Sequence, residues 1–150
     1  MCQPPNLWIH TQAAYETFWE ASRRGHVDVV RTMAKGAGIQ SCPHIATSKK
    51  RLGPDSTSPL LEAVKARSYE TVKELLDLGA PVDSCNDRRV TPVMVAAGNG
   101  DTEILELLLT KNPDVIGRSD KKPLQRAIDA GHKEAEMILH RYIAEHRSCA

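Results

Sequence analysis

A motif returns in register along this chain, and that repetition limits the folds open to it more than any other property. Ser58-Pro59-Leu60-Leu61-Glu62-Ala63-Val64, Thr91-Pro92-Val93-Met94-Val95-Ala96-Ala97 and Lys122-Pro123-Leu124-Gln125-Arg126-Ala127-Ile128 align position by position. The first two copies start 33 residues apart and the next follows after 31. A degenerate earlier copy runs through Phe18-Trp19-Glu20-Ala21-Ser22 to Gly25-His26, Val29, Val30 and Met33. Its register starts at Glu16, 42 residues before Ser58, so the first spacer is longer than the others. A period in this range marks a stack of small units, each too small to bury its own apolar stripe.

Each unit reads as two short helices. Thr91 supplies a hydroxyl N-cap, and Pro92 stands at the first helical position, where a missing N–H does no harm. Val93, Ala96 and Ala97 share one face, and the small alanines allow close approach of a neighbouring helix. Gly98-Asn99-Gly100 stops the first helix, because glycine accepts the left-handed turn. Asp101 is placed to cap the second helix, whose stripe is Ile104, Leu105, Leu108 and Leu109. Asn112-Pro113 ends it.

Composition narrows the function. The 150 residues fit one domain, with 41% hydrophobic and 26% charged residues, as in ordinary soluble domains. The net charge is +1 and aromatics are 4%, which argues against a DNA-coating protein and against stacking platforms for single strands. No apolar run is long enough for a membrane span, and the first residues do not read as a secretory signal. Cys2, Cys42, Cys85 and Cys149 are widely spaced, which favours free thiols in a reducing, intracellular compartment.

Thr91-Pro92-Val93 with Ala96-Ala97, Ser58-Pro59-Leu60, Gly25-His26, Gly131-His132 and Leu78-Gly79-Ala80 together resemble the ankyrin-repeat family over Glu16 to His146. The resemblance implies an all-α solenoid of four stacked helix-turn-helix repeats with short hairpin fingers. It also implies that partners bind the concave surface of first helices and fingertips. The repeats fall near 16–38, 58–90, 91–121 and 122–146, with an inserted long loop at 39–57 between repeats one and two. An N-terminal extension, 1–15, and a tail, 147–150, flank the domain at 16–146.

This chain departs from the family pattern in three ways. The histidine that follows Thr-Pro-Leu is replaced in every copy, by Trp19, Leu61, Met94 and Gln125, so its hydrogen bond is expected to be lost. Arg67 replaces the glycine between the helices of repeat two and is expected to hold a left-handed backbone. Glu136 and His140 stand where earlier copies pack Val72 and Leu76, or Leu105 and Leu109; such a polar outer face suits a terminal capping repeat.

Sharper chemistry finds little support in the residues. His26 and His132 sit in the shared Gly-His turn, where a structural role is natural, and no nucleophile motif accompanies them. Gly98-Asn99-Gly100 lacks the lysine and length of a phosphate loop. Cys42 and His44 form one loose pair, short of the four ligands that zinc takes, so no metal and no cofactor is expected. Lys49-Lys50-Arg51 in the inserted loop reads as a solvated basic run.

Charge distribution gives the surface some direction. The expected fingers carry Lys49, Lys50, Arg51, Arg88, Arg89, Arg118, Lys121 and Lys122 against five aspartates. The second helices of repeats two and three carry Glu70, Glu74, Asp77, Asp101, Glu103 and Glu106 against Lys73. A mildly positive finger edge favours a protein partner with an acidic segment. The expected partner-binding residues are Arg23, Arg24, Glu62, Lys65, Arg88, Arg89, Val95, Asn99, Arg126 and Asp129. The function read from the sequence is therefore a non-catalytic adaptor or regulatory subunit, monomeric by itself. The competing reading is a nuclear protein that contacts nucleic acid through its basic fingers.

Overall fold

In the computed structural model, residues 12–35, 57–113 and 123–147 are described. Among them lie eight helices: α1 (Gln12–Arg24), α2 (Val27–Lys35), α3 (Pro59–Lys65), α4 (Tyr69–Asp77), α5 (Pro92–Asn99), α6 (Thr102–Leu109), α7 (Pro123–Ala130) and α8 (Lys133–Arg147). They form four helix pairs in chain order, the all-α solenoid that the repeat predicts. Most of the 39–57 loop and of the N-terminal extension, the C-terminal tail beyond Arg147, and the fingers after units one and three lie outside the described residues. So do Lys49, Lys50, Arg51, Arg118, Lys121 and Lys122, and Cys2, Cys42 and Cys149.

The helix starts follow the chemistry of the repeated motif. Ser58 caps α3 by accepting from the Leu61 N–H at 3.2 Å, and Thr91 caps α5 from the Met94 N–H at 3.3 Å. A proline follows each cap inside the first turn. Asp101 behaves otherwise. It stands at the N-cap of α6, but its carboxylate makes no cap hydrogen bond and lies 3.5 Å from the Arg67 guanidinium. The neighbouring unit has drawn the side chain away from the helix end.

One turn joins the two helices of every unit. The N–H of His26, Ser68, Asp101 and His132 donates to the carbonyl five residues back, on Ala21, Ala63, Ala96 and Ala127, at 2.9–3.2 Å. This closure needs a left-handed residue just before the donor. Gly100 provides it at φ 74°, and in unit two Arg67 provides it at φ 57°.

The first helices pack side by side in one row and the second helices in another. The core lies between the rows and runs through all four units. Phe18, Leu60, Val64, Val72, Leu75, Ala96, Leu105, Leu108, Ala127 and Leu139 are all essentially inaccessible to water. Burying one such leucine contributes roughly 1.5–3 kcal/mol. Alanines 21, 63, 96 and 127 stand at equivalent places in successive units, and their size sets the close approach of the rows.

Candidate functional site

The motif register places three rows of side chains along the stacked first helices. Glu20, Glu62, Val95 and Arg126 occupy one row, Arg23, Lys65, Gly98 and Asp129 the next, and Arg24, Ala66, Asn99 and Ala130 the third. These rows include eight of the ten expected partner-binding residues, so the fold brings residues from four separate sequence segments onto one face. Arg23, Arg24, Lys65 and Asp129 are exposed, and Val95, Asn99 and Arg126 are half-buried.

Glu62 departs from expectation. It is one of the expected partner-binding residues, yet it is only 7% accessible. Its carboxylate accepts from Lys65 Nζ at 2.8 Å, one turn along α3. The pair holds the Lys65 ammonium in place on this face.

Charges on this face are already engaged locally. Glu20 accepts from Arg24 Nε and sits 3.2 Å from Arg23 Nη1. The hydrogen bond from Arg24, helped by the positive charge of both arginines, holds the Glu20 carboxyl below its ordinary value of 4.5. The preference for the ionised form is present above the ordinary carboxylate range and is lost as pH falls through the lowered value. Arg23 also lies over the Trp19 ring, 5.7 Å from its centroid. Asp129 accepts from Gln125 Nε2 at 2.8 Å.

Trp19 corrects another expectation. Its ring Nε1–H donates to Thr57 Oγ1 at 3.1 Å, just ahead of the α3 cap. The position that lost the family's histidine thus retains, in unit one, a ring N–H bonded to a hydroxyl of the next unit. Leu61 and Met94 at the same register are buried in the core instead.

The described finger lies between α4 and α5. Arg88 and Arg89 are exposed on it. Its organiser is Asn86, which sequence reasoning passed over. Asn86 is 5% accessible, and its Oδ1 accepts from the N–H groups of Arg88 and Val90 at 3.0 and 2.9 Å. The Asn86 N–H donates to Val90 O, which closes the turn, and Arg89 takes a left-handed backbone at φ 56°. The one available signal was an asparagine ahead of two basic residues in a turn.

The turns between helices meet across the seams of the stack. A Cβ at Gly100 would stand 2.6 Å from His132 Nδ1, so the His132 ring of unit four covers the glycine of unit three. In the same way a Cβ at Gly25 would meet Ser68 Oγ at 3.1 Å. Between units two and three, Arg67 Nη2 donates to the Asn99 carbonyl at 3.2 Å. Among the described residues no three His, Cys, Asp or Glu side chains converge as a metal site, and Cys85 takes part in no disulfide. No helix among them is long and apolar enough to cross a membrane.

Comparison with known proteins agrees with this geometry. The chain is 25% identical over 96% of its length to ankyrin repeat and KH domain-containing protein mask-1 of Caenorhabditis elegans, covering 6% of that protein. It is 30% identical over 91% of its length to ankyrin repeat, SAM and basic leucine zipper domain-containing protein 1 of Dasypus novemcinctus, covering 28% of it. It is 31% identical over 74% of its length to potassium channel AKT2/3 of Arabidopsis thaliana, covering 12% of it. The chain thus spans less than a third of each of these relatives. A family model described as ankyrin repeats (3 copies) matches residues 60–147. With four helix pairs closed by one shared turn and more than half its length matched by that model, the chain belongs to the ankyrin-repeat family.

Proposed function

We propose that this chain is a non-catalytic protein–protein interaction module, acting as an adaptor or regulatory subunit. Its partner lies across the first-helix face and the fingertips and presents an acidic segment to them. Ankyrin repeats as a family mediate protein–protein interaction. The observation that carries the reading is the alignment of Arg23, Arg24, Lys65, Val95, Asn99 and Arg126 on adjacent first helices, with Arg88 and Arg89 exposed on the finger between two of them. Glu20 and Glu62 hold three of these cations in fixed positions, so less side-chain entropy is lost when an acidic partner arrives. The chain acts as a monomeric, intracellular module in this reading.

Affinity capture from a cell lysate tests it, with mass spectrometry for protein and ultraviolet absorbance for nucleic acid. One stoichiometric protein is expected, and it is lost when Arg23, Lys65 and Arg126 are all replaced by glutamate without a change in thermal midpoint. Capture that the triple variant leaves unchanged overturns the assignment of this face. Recovery of nucleic acid instead, with affinity falling steeply in salt, overturns the protein-binding reading in favour of basic fingers on a nucleic acid.

A further inference from the structure

The second row of helices carries a surface of different chemistry. There α6 and α8 run side by side and leave an open seam. Two grooves of about 410 and 320 Å³ make up this seam, and both are lined by Glu106, Ile138 and Arg141. Its floor is apolar, with Leu109, Ile138 and Tyr142 half-buried or buried. Met137 stands on it 70% exposed, the most exposed large hydrophobic side chain among the described residues. Together with the apolar floor it makes a contiguous exposed apolar strip, the kind of surface that marks an interaction site.

The rim is acidic. Glu134, Glu106 and Glu145 line the seam and are all exposed. Its one guanidinium, Arg141, lies 3.6 Å from Glu106 and is answered by it. The His146 ring is engaged by the Tyr142 carbonyl at 2.9 Å and stacks on the Tyr142 ring. Glu134 and Glu145 therefore stand as the excess charge of the seam. Along α8, Glu134, Met137, Ile138, Arg141 and Glu145 recur at steps of three and four residues, which makes them one stripe. From Glu134 to Glu145 the helix rises about 16 Å, the length of roughly three helical turns in a partner.

We propose that this seam is a second docking surface, and that it takes a short amphipathic helix with apolar residues three and four apart, flanked by lysine or arginine. The apolar floor receives the apolar stripe, and the pliant Met137 side chain adapts to its shape. Glu134 and Glu145 select the basic flanks. The surface lies on the helix row opposite the first-helix face, so both are open at once. A basic helical partner and an acidic one would then be bridged by a single chain.

The test is a selection of random peptides about fifteen residues long, displayed on phage, against the wild-type chain, after depletion on Met137→Asp. The expected winners carry leucine, isoleucine, methionine or phenylalanine at helical spacing together with lysine or arginine. A synthetic winner should bind about tenfold more weakly to Met137→Asp. It should weaken likewise on a Glu134→Lys, Glu145→Lys double variant, which leaves the apolar floor intact and serves if the aspartate variant is unstable. Acidic winners, or no binder that depends on Met137 or on the two glutamates, overturn the proposal. A concentration-dependent dimer on gel filtration that Met137→Asp abolishes would assign the seam to a second copy and overturn it as well.

Discussion

Arg67 holds a left-handed backbone at φ 57° in a turn where the other three units place glycine. That conformation costs an L-residue roughly 1–2 kcal/mol. The side chain offsets it: Nη2 donates to the Asn99 carbonyl at the C-terminal end of α5, where a cation is favoured, and Nε lies 3.5 Å from Asp101. The guanidinium is 59% exposed, so each contact is worth no more than about 1 kcal/mol. Strain and contacts separate by substitution. Arg67→Gly, which loses both together, should stay within about 1 kcal/mol of wild type, while Arg67→Ala keeps the strain without the contacts and should lose about 1 kcal/mol more. Urea unfolding midpoints check the order, and an alanine variant as stable as wild type would refute it. The strained backbone was legible in the sequence, because only one residue type departs from a repeated glycine. Its compensation was not, since Asn99 and Asp101 lie 32 and more residues away and meet Arg67 only through stacking. Burial of Glu62 was hidden as well: the same register is only half-buried in the other units, at Glu20, Val95 and Arg126, so the sequence position alone does not set the outcome.

Among the elements, the first helices and the finger obey different rules. Helix starts at Ser58 and Thr91 were readable because capping is local, settled within three residues. The finger depends on Asn86, whose side chain accepts from the backbone N–H groups of Arg88 and Val90. Asn86→Ala removes both bonds from a buried site. It should lower stability by about 1–3 kcal/mol and speed amide exchange at Arg88 and Val90, while exchange in α6 changes only by the global amount. Unchanged protection at those two amides would show that the finger is held by something else. Because the finger positions Arg88 and Arg89, the same change should weaken any partner that uses them, without touching either arginine.

At the scale of the molecule, the core passes through every unit without interruption, from Phe18 to Leu139. In such an array, stability is carried by the interfaces between neighbours as much as by the units themselves. Leu105, fully buried in unit three, is therefore a test of coupling. Leu105→Ala should cost about 2–5 kcal/mol. Both tryptophans, Trp8 and Trp19, lie at the other end of the chain and report from there. If the stack is one cooperative body, the fluorescence transition moves down together with the loss of helix in circular dichroism. A fluorescence midpoint that stays put would show unit one unfolding independently. The turns that join the pairs add a property of their own. Gly25 faces Ser68, Arg67 reaches Asn99, and Gly100 lies under the His132 ring, so no two seams are alike. Unit four, with its ring as it stands, fits a preceding unit whose turn is bare, since a side chain at that place meets the imidazole. Unit two, which carries an arginine there, would have to displace that ring to precede it. The turns thus restrict which unit can stand beside which, and an engineer who shuffled or duplicated them would have to respect that grammar.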